Sequence, residues 1–419
     1  MATTPPRVLA ILPHLIPSTA LTVVKPLLAL HRAGDISLNL TLESWVSRRR
    51  LDAADILVFS RNMQMMYRHL LDVALALGKP LVYDIDDNFF ELPPPYQQDV
   101  SQPHEQSIAL LEEYLRAAAL VRVYAAPMQE RVQELNPRVV RVDGLIDWSL
   151  LSSTPPQRDP RRVRIVYATS RIRRDDLASL FLAAMLKVLA VYHDVVEFYC
   201  WGHHPLELRN VPGVRFLNYV HNYDAFFRRF ARAGFDIGLA PLRDEIFYRS
   251  KTNNKFREYA ACRIAGVYSN VDVYSSCVEH ERSGLLVPNS TEAWFQAIAR
   301  LVEDAALRAT IQEQAFSYVR AHYSLEKAQH EWLTHLHYAL QLRRSAGRVH
   351  SSVTQLTTSA DKWERTTLPR PLFRFVRAGR WFVHGLRQER GRVVVRQLVR
   401  ALHNLWNQFY LQWLVLRSR

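Results

Sequence analysis

Apolar residues fall along this chain in two alternating patterns. R-V-L-A-I-L-P-H at 7–14 is an unbroken apolar run, as in a strand buried on both faces of a parallel sheet. Val23 to His31 then carries apolar residues at helical spacing, and Gly34 closes the segment. The pair recurs. Residues 55–60 are strand-like, 63–77 helical with a stop at Gly78, and 79–83 strand-like again. Beyond the break at Pro93-Pro94-Pro95 come a helix over 105–119, a strand over 121–124 and a helix over 128–135. Ser152 to Pro160 is rich in Pro, Ser and charge and reads as a linker. The alternation then restarts, with strands predicted at 163–167, 195–199, 214–217, 236–240 and 266–269. Helices are predicted at 176–192, 223–233, 255–262, 292–303 and 305–321. Asn289, three residues before Glu292, predicts a capping box where the Trp294 helix begins.

Strand–helix alternation of this kind builds doubly wound α/β sheets. The expected fold is α/β: two tandem Rossmann-like domains at 1–150 and 162–342, joined by a linker at 151–161. A second linker at 343–368 leads to a tail at 369–419. Paired sheets leave a cleft at the carboxyl ends of their strands, where ligands of open α/β sheets bind.

Charge changes the picture only once it is located. The 419 residues are 48% hydrophobic and carry a net +14, which suggests a nucleic-acid partner. Yet residues 343–419 hold 16 Lys and Arg against 3 Asp and Glu, a balance of +13, and the first 342 residues carry +1. The body is nearly neutral, so no nucleic-acid partner is expected. Cys200, Cys262 and Cys277 show no C-x-x-C spacing and fit a reducing compartment. The N-terminal segment lacks a signal-like apolar core, and no run of about 18 apolar residues predicts a spanning helix.

In the tail, Arg370, Arg374, Arg377 and Arg380 interleave with Phe373, Phe375, Trp381 and Phe382. Further on, Leu398, Leu402, Trp406, Phe409, Trp413 and Leu416 recur at helical spacing. Arg392, Arg396, Arg400, Asn404, Gln408 and Gln412 fall elsewhere around the same helix. A basic helix with an aromatic apolar face suits the interface of an anionic membrane. Packing on the protein or on a second subunit is the other reading.

Y-D-I-D-D-N-F-F at 83–90 raises three readings. Paired carboxylates can hold a divalent metal. Asp87 can cap the next turn. Or Asp84 and Asp86, on one face of a strand by alternation, both point into the cleft. There, two close carboxylates raise one pKa and make a base.

From Phe235 to His322 the chain resembles the donor half of GT-B glycosyltransferases, in the group 1 (family 4) set. The matching stretches are F-D-I-G-L-A-P-L at 235–242, K-T-N-N-K-F-R-E-Y-A-A at 251–261, G-V-Y-S-N-V at 266–271, S-G-L-L-V-P-N-S-T-E-A-W at 283–294 and R-A-H-Y-S-L-E-K at 320–327. D-I-L-V-F-S-R at 55–61 and K-P-L-V-Y-D-I-D-D at 79–87 match the first domain more loosely. The resemblance implies a nucleotide-diphosphate sugar as co-substrate, lying on the second domain. Glu258 stands where the family binds the ribose. Lys251, Asn254 and Lys255 suit phosphate oxygens, and Arg171, after the domain's first strand, suits the diphosphate. Ser250 stands where relatives carry a sugar-contacting Glu, a departure, and Arg263 and Ala265 replace the family's Gly and Pro. In the first domain Asp86 falls where relatives place a cleft His. That favours the cleft reading of the aspartates over a metal site and implies a metal-independent enzyme. Asp84 and Asp86 are then the catalytic candidates, with Arg61 and Asp87 on the acceptor side; His14 and His104 are more simply loop residues. The implied activity is sugar transfer to a glycan or lipid-linked glycan in cell-surface polysaccharide synthesis. It is expected at the cytoplasmic face of the membrane, with the tail on anionic lipid. The alternative is an inactive domain pair that binds sugar or acts as a scaffold.

Overall fold

The computed structural model describes residues 4–94, 104–152, 156, 158–169, 176–345 and 391–418. Six parallel strands build the first sheet: β1 (Arg7–Leu12), β2 (Ser37–Leu42), β3 (Ile56–Ser60), β4 (Leu81–Ile85), β5 (Leu120–Val123) and β6 (Val139–Arg141), in the order β2-β1-β3-β4-β5-β6. Six more build the second: β7 (Val163–Ala168), β8 (Val196–Trp201), β9 (Val214–Leu217), β10 (Ile237–Ala240), β11 (Ala265–Ser269) and β12 (Leu285–Val287), in the order β12-β11-β10-β7-β8-β9. The order reverses between β1 and β3 in one sheet and between β7 and β10 in the other. Ligand crevices of doubly wound sheets lie at such points.

The hydrophobic pattern does not predict β2, β6 and β12, and all three are edge strands. β6 and β12 are three residues long, and β2 (S-L-N-L-T-L) alternates, so none offers the continuous apolar run of a central strand. The helix after β1 starts earlier than its apolar spacing suggests. Pro17–Thr19 is already helical and leads through a π-helical turn at Ala20–Val24 into Lys25–Ala33. Ile16 N donates to Thr19 Oγ1 at 3.1 Å, which fixes this start at the carboxyl end of β1. The capping box is not at Asn289. Ser290 caps the Thr291–Glu303 helix, its Oγ accepting from Ala293 N. Asn289 instead accepts from Ser269 Oγ at 2.6 Å and donates to Leu242 O at 2.9 Å.

The predicted division at residue 342 does not follow the cores. The Leu325–Ser345 helix leaves the second domain and packs on the first, with Trp332, Leu336 and Ala339 buried in the cluster that holds Leu27, Leu30, Ile56 and Val82. Trp332 Nε1 donates to Thr22 O at 2.8 Å. The tail follows it to the same domain. Residues 369–390 lie outside the described residues, but Gly391–Arg417 is helical and lies along the free edge of β2. Leu411 and Val415 join the first domain's core. Gln408 Oε1 accepts from Leu42 N at 2.8 Å, and Gln412 Nε2 donates to Leu40 O at 2.5 Å. Side-chain amides thus complete the open hydrogen-bonding edge of the strand, which would otherwise invite pairing with another chain. This docking side is the one the sequence pattern assigns to polar surface.

Candidate active site

Both reversal points open into one cavity of about 480 Å³ between the domains. Ile16 and Ser18, after β1, and Asp86 and Asp87, after β4, form one wall. The opposite wall carries Lys251, Asn254, Lys255 and Glu258, at and just before the Asn254–Ala261 helix. Tyr167, Trp201, Tyr219, Tyr223 and Phe226 supply an aromatic end. A larger hollow of about 700 Å³ lies outside the β12 edge, lined by residues such as Tyr192, Phe295 and Arg300. It is more open and brings together none of the groups the sequence singles out.

Geometry separates the three aspartates. Asp84 does not reach the cavity, contrary to the shared-face expectation. It is fully buried, accepting from Tyr124 OH at 2.7 Å and from Arg122 Nε at 3.3 Å. Burial pushes its pKa up to about 6 against the pull of Arg122. Arg122 stacks over Trp332, 4.0 Å from the ring centroid, and its Nη1 lies 2.5 Å from His335 Nδ1. The Asp84–Arg122 pair therefore ties β4 and β5 to the returning helix. Asp86, two residues on, does line the cavity. Its pKa is raised, first by burial and then by Asp87, with Arg61 and a hydrogen bond from Ser18 opposing.

Arg61 stands behind Asp86 and Asp87 rather than in the cavity wall. Its Nε is 3.1 Å from Asp86 Oδ1, and its Nη2 pairs with Asp87. Its backbone is left-handed, φ 59°, which is strained for a residue with a side chain. The neighbours hold that turn. Ser60 N donates to Asn62 Oδ1 at 2.8 Å, and Asn62 O accepts from Tyr83 OH at 2.8 Å. Asn62 Nδ2 donates to Glu43 Oε2 at 2.7 Å. Glu43 is buried, and desolvation raises its pKa to about 8. Sequence reasoning missed this layer, although an Asn two residues after a strand end is a turn signal.

On the second domain's wall, Lys255 Nζ lies 2.8 Å from Glu258 Oε2, so the K-F-R-E spacing sets a cation and a carboxylate one turn apart. Between them Arg257 points away from the cavity. It is buried, donates from Nη1 to Leu145 O at 3.0 Å, and from Nη2 to Asn254 Oδ1. Lys251 Nζ sits 3.9 Å from the Phe247 ring centroid and pairs across the cleft with Asp87. Ser250 is not part of the cavity wall. Its hydroxyl donates to Ile246 O at 2.7 Å and accepts from Asn88 Nδ2 at 3.1 Å, a second bridge between the domains. Beside the segment that joins the domains, Lys25 Nζ meets Asp147 at 2.6 Å and Asp224 at 2.9 Å. Arg171 lies outside the described residues, and neither His14 nor His104 lines the cavity. Among the described residues no group of three His, Cys, Asp or Glu converges.

Residues 163–304 match the family described as Glycosyl transferases group 1. HepE of Anabaena, solved in complex with UDP and glucose, superposes with a TM-score of 0.56 at 13% identity over 78% of this chain and 99% of its own. Sucrose-phosphate synthase of Thermosynechococcus elongatus gives a TM-score of 0.58 at 14% identity, over 80% and 99%. A glycosyltransferase from Rickettsia africae gives 0.57 at 12%, over 81% and 99%. No curated protein matches the sequence. The fold is GT-B, and within it the second domain carries the match to the group 1 glycosyltransferases.

Proposed function

We propose that the protein moves a sugar from a nucleoside-diphosphate sugar to a glycan or lipid-linked glycan, in cell-surface polysaccharide synthesis at the cytoplasmic face of a membrane. One observation carries the reading. A single cavity at both reversal points has cations and Glu258 on the group 1 wall and a proton-accepting carboxylate, Asp86, on the other. The donor's diphosphate competes with Asp87 for Lys251, and Lys255 and Asn254 bind it alongside. Glu258 accepts from the ribose hydroxyls, and the aromatic end stacks the base. The acceptor oxygen bonds to the anomeric carbon as the bond to the diphosphate breaks. Asp86 takes the hydroxyl proton; the raised pKa suits that task. The lysines offset the charge that develops on the leaving diphosphate. A base in this position gives inversion, so the anomer of the product tests the role of Asp86 directly.

The HepE complexes with UDP and UDP-glucose make UDP-sugars the first donors to try. The protein is incubated with a panel of nucleotide sugars, with and without EDTA, and nucleoside diphosphate release is measured. Turnover that survives EDTA and disappears in Glu258→Ala is expected. Binding without turnover for every donor sinks the enzyme reading in favour of a sugar-binding scaffold. Turnover that EDTA abolishes and a divalent ion restores overturns metal independence.

A further inference from the structure

The tail helix is inverted with respect to an ordinary surface helix. Its docked side holds Asn407, Gln408, Leu411, Gln412 and Val415, while Leu402, Trp406, Phe409, Trp413 and Leu416 are 45–66% exposed. Those five recur at intervals of three and four, so they form one stripe along one face. Trp406, Tyr410 and Trp413 stack in series, at 5.1 and 5.8 Å between centroids. Exposed aromatic surface in an unbroken line marks a contact with another phase or molecule. Charge says which. Residues 369–419 hold 11 Arg and a single acidic residue, Glu389, and 391–418 hold no Asp or Glu. Trp and Phe beside arginines match the interface of an anionic bilayer. No described helix is long and apolar enough to cross a membrane.

Direction adds a further point. Gln412 meets Leu40 and Gln408 meets Leu42, so the helix runs antiparallel to β2. The turns before Gln408, back to Gly391, project roughly 25 Å past the carboxyl end of β2 at about 1.5 Å per residue. Arg392, Arg396 and Arg400 lie on those turns. The cavity between the domains opens on the same side, at the carboxyl ends of β1 and β4. β4 is three strands from β2, about 14 Å across the sheet.

We infer that the Leu402–Trp406–Phe409–Trp413–Leu416 stripe is the protein's contact with an anionic lipid surface, fixed to the acceptor-side domain so that the cleft opens beside the headgroups. Where the transferase reading above holds, from which this last step follows, the acceptor is the lipid-linked form, reaching the cavity sideways from the membrane. The full chain and a Trp406→Ser/Phe409→Ser/Trp413→Ser variant are compared by sedimentation with phosphatidylcholine–phosphatidylglycerol vesicles and with phosphatidylcholine alone. Wild type is expected to sediment with the anionic vesicles, and the variant to lose about tenfold or more in affinity with its melting temperature unchanged. No vesicle binding, or equal binding by both proteins, overturns the inference. So does a wild-type dimer that the variant converts to monomer, which assigns the stripe to a second copy. Nucleoside diphosphate release from a donor in solution is read in parallel and is expected to be equal in both. Release without stripe-dependent binding defeats this inference alone, and stripe-dependent binding without release defeats the transferase reading alone.

Discussion

Gly144 sits in the segment between β6 and the second domain, and replacing it with alanine tests how that segment is tied to the Asn254–Ala261 helix. A Cβ there would approach three atoms of the Arg257 guanidinium closer than the 3.0 Å that real Cβ atoms respect. A side-chain end usually moves aside at little cost, but this one is only 2% exposed and is held on both sides. Moving it breaks the bonds to Leu145 O and Asn254 Oδ1. Hydrogen bonds from a charged donor contribute about 1.5–3 kcal/mol each, and stripping partners from a buried charge costs about 3–5 kcal/mol. Gly144→Ala is therefore expected to destabilise the protein by about 3–5 kcal/mol. It should also raise the donor KM, because Asn254 loses the group that fixes its amide. Urea unfolding, followed by tryptophan fluorescence, measures the first effect. The control is the same substitution in an Arg257→Met background, where no guanidinium remains to be displaced and the added cost should fall below about 1 kcal/mol. Equal costs in the two backgrounds would refute the steric argument, as would a Gly144→Ala protein as stable as wild type.

Two further outcomes follow from the buried carboxylates. Glu43 has its pKa raised from 4.5 to about 8 by desolvation, so the folded state holds a proton that the unfolded chain has released. Its contribution is complete below 4.5 and is lost as pH rises to about 8, at up to about 1.4 kcal/mol per pH unit. Glu43→Gln keeps the acceptor for Asn62 without the charge, so its urea midpoint should be flatter than wild type across that window; an unchanged slope refutes the assignment. Asp86→Asn should lower kcat by about 10²–10⁴-fold with little change in donor KM. In wild type, activity should rise with pH above the ordinary carboxylate range, and an unaltered kcat in the variant rules out Asp86 as base.

The order in which information reaches the site explains what the sequence could reveal of it. Central strands such as β1 and β3 are legible because burial on both faces forces a continuous apolar run. The grouping of Lys251, Asn254, Lys255 and Glu258 on one wall is legible because they lie within one short stretch, and helical spacing fixes the relation of the last three. Beneath the walls, contacts join residues far apart in the chain. Glu43 meets Asn62 under Arg61, and Asp84 meets Arg122 under a tryptophan contributed by Leu325–Ser345. No local periodicity encodes such pairs. Alternation predicts one face for Asp84 and Asp86, but it does not say that the strand stops at Ile85, between them. Asp84, still within β4, is buried with Arg122 under the returning helix, and Asp86, past the strand's end, lies at the cavity.

The tail shows the same limit from the other side. A helical wheel sorts residues by polarity and sends the apolar face inward. That rule assumes that the surface to be covered is apolar, and the edge of β2 is not. It presents backbone groups such as Leu42 N and Leu40 O, which only hydrogen-bonding side chains can satisfy. Gln408 and Gln412 dock because they carry an amide oxygen and an amide nitrogen at the spacing of one helical turn, with Leu411 and Val415 filling the space beside them. Once the glutamines face inward, the helix has no freedom to bury Trp406, Phe409 and Trp413 as well, since these lie on the opposite face. The sheet edge thus dictates the exposure of the aromatic stripe, the face that the inferred lipid contact would use.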